Sequence, residues 1–325
     1  MKKNILISVA LLPVFSGYLF AENFQDIAFE DIERDKIYVP ESDYDEDGRV
    51  LFLTSRAERE FLNGLIRYFK PKKILEIGVA HGGTSLILLN AAKDIGAKVY
   101  GIDIGDKLDG KPIGHIIKEK EPELSKYHHL YTPNITAAFI EEIAKDKKFD
   151  FVFIDAAHQV PGELLDFLMV LPYLEENAIV VFHDISCPFS NSGKIAYNCF
   201  VTCLAFSNLR GEKFIPKKID KAPFRYARDP GMPNIGAVRL DSNQEKFWYD
   251  YFQILSAKWH YMPSDEHIEL MTKFFEKHYG KKYSEMFTKI VENQKYKYFT
   301  KHEQHKPKKQ PEPQKKKGFW QRLFG

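Results

Sequence analysis

Ile74-Leu75-Glu76-Ile77-Gly78-Val79-Ala80-His81-Gly82-Gly83-Thr84 is the stretch on which the fold of this chain turns. An apolar run ends at Gly78 and a helical pattern begins at Thr84, so a buried strand meets a helix through a glycine turn. Gly78 lets the chain reverse sharply, while Gly82 and Gly83 let backbone come close to a bound molecule. The free N–H groups at the helix start then face that ligand. The spacing is Gly-x-x-x-Gly-Gly; neither the Gly-x-Gly-x-x-Gly of dinucleotide enzymes nor the Gly-Lys-Ser/Thr ending of a P-loop is present. Further on, Asp103 closes the next apolar run, where a carboxylate can accept hydrogen bonds from ribose hydroxyls. Glu76, at the mouth of the first strand, is placed to accept from an ammonium group. Taken singly, these are an ordinary strand–helix turn and a helix cap; together, in one βαβ unit, they read as a nucleoside site.

Working outward, helical and extended patterns alternate. A helix over 55–69 precedes the glycine stretch, and Pro71 ends it. Strands are expected at 73–79, 98–104, 130–134, 149–155 and 178–182, with helices at 84–92, 136–145 and 163–174 between them. Residues 105–126 read as a polar, irregular connection. Strands alternating with helices of this length mean an α/β fold, with a mostly parallel sheet flanked by helices on both faces. Residues 217–240 read as an antiparallel hairpin around the turn Asp229-Pro230-Gly231-Met232-Pro233-Asn234. The division is a hydrophobic segment 1–21, an acidic lead-in 22–54, the main domain 55–240, a helical extension 241–299 and a disordered tail 300–325.

A second constellation lies on later strands. Phe149 to Asp155 ends in a carboxylate with His158 three residues on, and Val180-Val181-Phe182 leads into His183-Asp184. Adjacent parallel strands lie about 4.8 Å apart, so Asp155 and Asp184 can converge at one sheet edge. Two carboxylates with a flanking imidazole, His183 among the candidates, suit a hard cation such as Mg²⁺. His158 has the side chain for a general base. The plainer alternatives are a helix cap for Asp155 and satisfied structural histidines.

Glu-x-Gly-x-x-x-Gly followed by a strand-ending Asp resembles class I S-adenosylmethionine-dependent methyltransferases, which implies their Rossmann-like sheet. That resemblance places Glu76, Gly78, Ala80 and Gly82 around the methionine moiety and Asp103 on the ribose, with Thr84 a weaker candidate. Phe-Ile-Asp-x-x-His followed by a strand ending His-Asp is similar to the family that includes macrolide-sugar O-methyltransferases and cephalosporin hydroxylase relatives. In its metal-dependent members the resemblance makes Asp155 and Asp184 ligands and His158 the base. The residue before the second aspartate is an acid in that family's best-understood members and is His183 here, a departure that bears on the metal. The implied activity is methylation of a hydroxyl on a small molecule, sugar or glycan precursor. An NAD-type oxidoreductase, disfavoured by the glycine spacing, and a non-catalytic, membrane-tethered nucleoside-binding protein are the alternatives.

Composition is that of a globular protein, 44% hydrophobic and 28% charged, with a formal net charge of +2. From Lys301 onward stand eight Lys/Arg and two Glu, so the tail carries the positive charge and the body gives no sign of nucleic-acid binding. Three cysteines do not make a disulfide framework; Cys199 and Cys203 read as small apolar side chains on one helix. Met1-Lys2-Lys3 before the apolar run Ile5–Phe20 looks like a signal peptide, with Ala21 as its cleavage residue. The cofactor points instead to the cytoplasm, at the inner membrane surface, and the two readings stay open. Lys315-Lys316-Lys317 ahead of Phe319, Trp320, Leu323 and Phe324 has the makings of a peripheral membrane contact.

Overall fold

The computed structural model describes residues 24–25, 54–186, 200–216 and 233–303. Seven strands form its sheet: β1 (Lys73–Ile77), β2 (Lys98–Ile102), β3 (His128–Tyr131), β4 (Phe149–Ile154), β5 (Leu174–His183), β6 (Gly211–Phe214) and β7 (Ile235–Leu240). Their spatial order is β3-β2-β1-β4-β5-β7-β6, and the two-residue strand Phe24–Gln25 adds to β6 at the outer edge. β1 to β5 run parallel, while β7 runs antiparallel to both β5 and β6. This is the expected Rossmann-like arrangement with antiparallel strands at one edge. The antiparallel partner of β7 is Gly211–Phe214, however, and not a strand beginning at Lys217; residues 217–232 lie outside the described residues.

Alternation along the strands explains the layers. Phe151 and Phe153 point to one face and Val152 and Ile154 to the other, all fully buried. The first face packs on α1 (Arg56–Phe69), α2 (Gly83–Ile95) and α3 (His115–Lys120). The second carries α4 (Thr136–Ile143), α5 (Gly162–Val170), α6 (Phe200–Asn208), α7 (Trp248–Ile254), α8 (Asp265–Tyr279) and α9 (Lys281–Glu303). The connection 105–126, expected to be irregular, contains α3 and a two-stranded turn, because Ile113, Ile116, Ile117 and Leu124 bury themselves against the domain. α9 continues past 299 to Glu303. Residues 1–23 and 304–325, with the signal-like run and the basic terminus, lie outside the described residues, as do Cys187 and Cys199; Cys203 is a free, partly buried thiol in α6. Among the described residues no helix is long and apolar enough to cross a membrane.

Helix α1 starts with a capping box. Ser55 accepts from the Glu58 backbone N–H, and Glu58 accepts from that of Ser55. This puts Glu58 at the C-terminal edge of the sheet. Strand order reverses between β1 and β4, leaving a crevice beyond their carboxyl ends, where open α/β sheets bind ligands. Since Phe153 packs at the centre of that sheet with no exposure, Phe153→Ala is expected to lower the unfolding free energy by about 3–5 kcal/mol. Urea titration at pH 7 measures this, and a loss below about 1 kcal/mol would be inconsistent with tight packing there.

Candidate active site

At the crevice, Gly78 has φ +88°, and a Cβ there would sit 2.0 Å from the Asp155 carbonyl oxygen. The close approach of the β1 and β4 ends therefore demands glycine whether or not ligand is bound. Gly82 (φ +94°) caps α2 and lies against Gly114, where a Cβ would meet the Gly114 α-carbon at 2.9 Å. Ala80 also adopts a left-handed conformation. The Asp103 carboxylate holds the turn in place: one oxygen accepts from the backbone N–H groups of Val79 (3.0 Å) and Ala80 (2.9 Å), the other from Gly105 (2.9 Å). A carboxylate offers about four acceptor positions, so Asp103 keeps room for roughly one ligand hydroxyl beyond its work on the loop.

Gly78, Ala80, Thr84, Asp103, Asp155 and His158 all line one cavity of about 650 Å³, a volume typical of cofactor sites. Glu76 and Gly82 are not on its wall. Glu76, expected to meet an ammonium group, is fully buried behind the loop, where Ser85 Oγ donates to its Oε2 at 2.5 Å. Its Oε1 is buried without a hydrogen-bond partner. Burial, reinforced by the charges of Asp155 and Asp103, pushes its pKa up to about 8.

The second constellation converges as its spacing implied. Suitable atoms of Asp155, His158 and Asp184 lie within 4.8 Å of one another. His158 Nδ1 is 3.1 Å from Asp184 Oδ2 and 3.6 Å from Asp155 Oδ1. Both His158 and Asp184 have positive φ, turning their side chains inward at the strand ends. Burial alone would lower the His158 pKa; hydrogen bonding to Glu163 and the charges of Asp184 and Asp155 prevail and push it up to about 10. His183 stands behind this group rather than in it. Its Nδ1 faces Asp155 (3.3 Å) and Asp184 (3.6 Å), and its Nε2 faces Glu58 (3.5 Å) and Asn234 (3.3 Å). Burial opposes its charge, yet the three carboxyl groups hold it protonated well above the ordinary histidine range. His183 thus lies outside the Asp155–His158–Asp184 group, behind the two aspartates, where it is placed to brace them. Asp155 is kept below the ordinary carboxylate range: burial works against its charge, and His183 and then His158 outweigh that.

Several participants carried no legible signal in the sequence. Glu163, on α5, is almost fully buried and accepts the His158 backbone N–H. Asn234 donates to Asp184 Oδ1 at 2.7 Å; it reaches the site only because antiparallel β7 begins at the edge where β5 ends. Glu58 arrives from a helix that sequence reading treats as scaffold. Asp166 lines the cavity, accepts from Thr136 Oγ1 at 2.8 Å, and is pushed by burial up to about 7. A search for acids three or four residues apart on the inward face of α5 would have found Glu163 and Asp166.

Residues 75–185 match a family profile described as a methyltransferase domain. Over 110 residues the chain is 33% identical to caffeoyl-CoA O-methyltransferase 5 of Nicotiana tabacum, covering 33% of this chain and 44% of that protein. The chain thus matches less than half the length of this curated relative. Among solved structures, the O-methyltransferase from Bacillus cereus in complex with SAH is similar at a TM-score of 0.42 and 18% identity, covering 57% of this chain and 81% of that one. The MycE methyltransferase of the mycinamycin biosynthetic pathway, in complex with Mg, SAH and mycinamycin VI, is similar at 0.34 and 15%, covering 56% and 49%.

The Glu76 environment fixes a pH dependence. Unfolded, this carboxyl titrates near 4.5, and folded near 8. Between those values the folded protein holds a proton the unfolded chain has released, so stability from this group falls as pH rises and levels off above the folded value. Glu76→Gln should flatten the decline between pH 5 and pH 8 and make the variant the more stable protein at pH 8, as read by urea denaturation. Parallel declines in both proteins would assign the proton elsewhere.

Proposed function

We propose that residues 75–185, which match a methyltransferase-domain profile, form a class I, S-adenosylmethionine-dependent methyltransferase domain, as the sequence resemblance implied, and that the protein transfers a methyl group from S-adenosylmethionine to a hydroxyl. One observation carries the reading: a single cavity is walled at one place by the Gly78–Asp103 turn and at another by Asp155 and His158. The nucleoside and methionine parts of the donor occupy the first place, with Asp103 toward the ribose and Gly78, Ala80 and Thr84 against the chain. The methyl group points to the second. The acceptor oxygen bonds to the methyl carbon as the S–CH₃ bond breaks, the sulfur keeps the bonding electrons, and the hydroxyl proton leaves. Most of the acceleration comes from holding donor and acceptor in line.

His158 is the group placed to take that proton. Its side chain is 41% exposed, whereas Asp155 and Asp184 are 12% and 14% exposed, so it is the member of the group most open to an acceptor. His158 becomes a base at neutral pH only where the charge of the neighbouring carboxylates is otherwise balanced. The residues suit a divalent cation: Asp155, His158 and Asp184 offer oxygen and nitrogen atoms that lie within 4.8 Å of one another. Such an ion, held by the Asp155 and Asp184 carboxylates with His158 left as the base, would supply Lewis acidity toward the acceptor hydroxyl. A sugar or glycan precursor is the acceptor class we infer, supported by the resemblance of Phe153-Ile154-Asp155-x-x-His158 and His183-Asp184 to sugar O-methyltransferases. The basic, aromatic terminus Lys315–Phe324 suits work beside an anionic membrane surface.

Calorimetry tests the donor site. The intact chain should bind S-adenosylhomocysteine, and Asp103→Ala should weaken that binding at least about tenfold, through loss of a charge-assisted hydrogen bond and loosening of the loop. A folded wild-type protein that takes up no nucleoside would end the proposal. His158→Ala should leave nucleoside affinity within about threefold while cutting turnover by about 10²-fold or more; undiminished turnover on any accepted hydroxyl compound would place the base elsewhere.

A further inference from the structure

Away from the acidic edge, two histidines face each other where α3 meets the glycine turn. His81 Nδ1 and His115 Nε2 lie 3.2 Å apart, and the rings cross at 78° without stacking. The backbone sets this pair: the Gly114 N–H donates to the Ala80 carbonyl at 2.9 Å, and the Ile116 N–H to that of His81 at 3.1 Å. Each outer nitrogen has a carboxylate. His115 Nδ1 is 3.0 Å from Glu119 Oε1, which Lys111 Nζ also reaches at 3.1 Å, and His81 Nε2 is 3.5 Å from Asp109 Oδ2. A carboxylate beside an imidazole holds the proton on the nitrogen it faces. In neutral rings both inner nitrogens then carry lone pairs, and two lone pairs 3.2 Å apart repel unless positive charge lies between them. Burial, and after it the neighbouring His115 ring, keeps His81 below the ordinary histidine range, so its ring is neutral at neutral pH.

We propose that His81 and His115 form a binding site for a transition-metal ion of the Zn²⁺ class, seated between their two inner nitrogens. Nitrogen ligands about 2.0–2.1 Å from a tetrahedral Zn²⁺ stand about 3.3–3.4 Å from each other, close to the spacing of this pair. Asp109 and Glu119 are the outer carboxylates that orient metal-bound imidazoles, and water completes the coordination. The histidine side chains are 23% and 12% exposed, open enough for an ion to enter. Imidazole nitrogen favours Zn²⁺, Ni²⁺ or Cu²⁺ over Mg²⁺, whereas the oxygens of Asp155 and Asp184 favour the hard ion. Bound there, the ion clasps α3 to the glycine turn, and because His81 lines the large cavity, it stiffens one part of that wall. The site uses none of the acidic-edge residues and stands independently of the methyl-donor reading.

Zn²⁺ alone is the probe, titrated by calorimetry at neutral pH into the full chain after chelator treatment and dialysis. His115→Ala should weaken Zn²⁺ binding by more than about tenfold, and Glu119→Gln, which takes the carboxylate charge from the outer nitrogen, by about tenfold. Mg²⁺ binding should be the same in all three proteins. The effect of His115→Ala should recur in the Asp155→Asn chain, where the acidic edge is weakened as a competing site. His115→Gln takes the place of the alanine variant should circular dichroism show the latter unfolded. A wild type that takes up no Zn²⁺, or a folded His115 variant that binds it unchanged, overturns the site and leaves a shared proton between the rings. Zn²⁺ uptake abolished by Asp155→Asn and not by His115→Ala assigns the ion to the acidic edge and overturns the site equally.

Discussion

The close approach of β1 and β4 at their carboxyl ends is the constraint from which the site follows. With Gly78 facing the Asp155 carbonyl, no side chain fits between the strands, and the backbone must turn away at once. That turn exposes the Val79 and Ala80 N–H groups, which Asp103 gathers from the neighbouring strand. The same approach brings the glycine turn beside Asp155. The glycine turn and the acidic edge at Asp155 are thus neighbours because the parallel sheet reverses its order there, between β1 and β4.

Charge is concentrated where burial should forbid it. Asp155 and His183 lie within 3.3 Å, Glu58 approaches from α1, Asp184 is held by Asn234, and Glu163 closes the far side of His158. Such a cluster is costly to desolvate and gains little net stability over apolar packing, which marks it as a candidate functional site. His183 stands where the best-understood members of the resembling family have an acid before the second aspartate. Between Asp155 and Asp184 it places an imidazole, and not a further carboxylate, against the two aspartates.

The C-terminal extension does more than cover the second face of the sheet. Its aromatic core, with Trp259, Phe275, Tyr279 and Phe287 fully or nearly buried, fixes α8 against α4 and α5. That anchorage positions Tyr261 to Met271 along the cavity, so that packing remote from the chemistry sets the shape of the pocket.

The sequence by itself determined the alternation of strands and helices, the glycine turn, and the aspartates at the strand ends, because each leaves a local mark: a period, a conformational demand, or a polar residue ending an apolar run. It also determined that Asp155, His158 and Asp184 share an edge, since parallel strands with right-handed crossovers allow no other placement. Tertiary structure decided what local pattern cannot encode. Glu76 is turned away from the cavity by its bond to Ser85, His183 is consumed by flanking carboxyls, and Asn234 arrives by an antiparallel strand some fifty residues downstream of Asp184. Glu58, Glu163 and Asp166 look like ordinary helix acids in the sequence. Only packing reveals which acids lose their water, and that loss gives them a role.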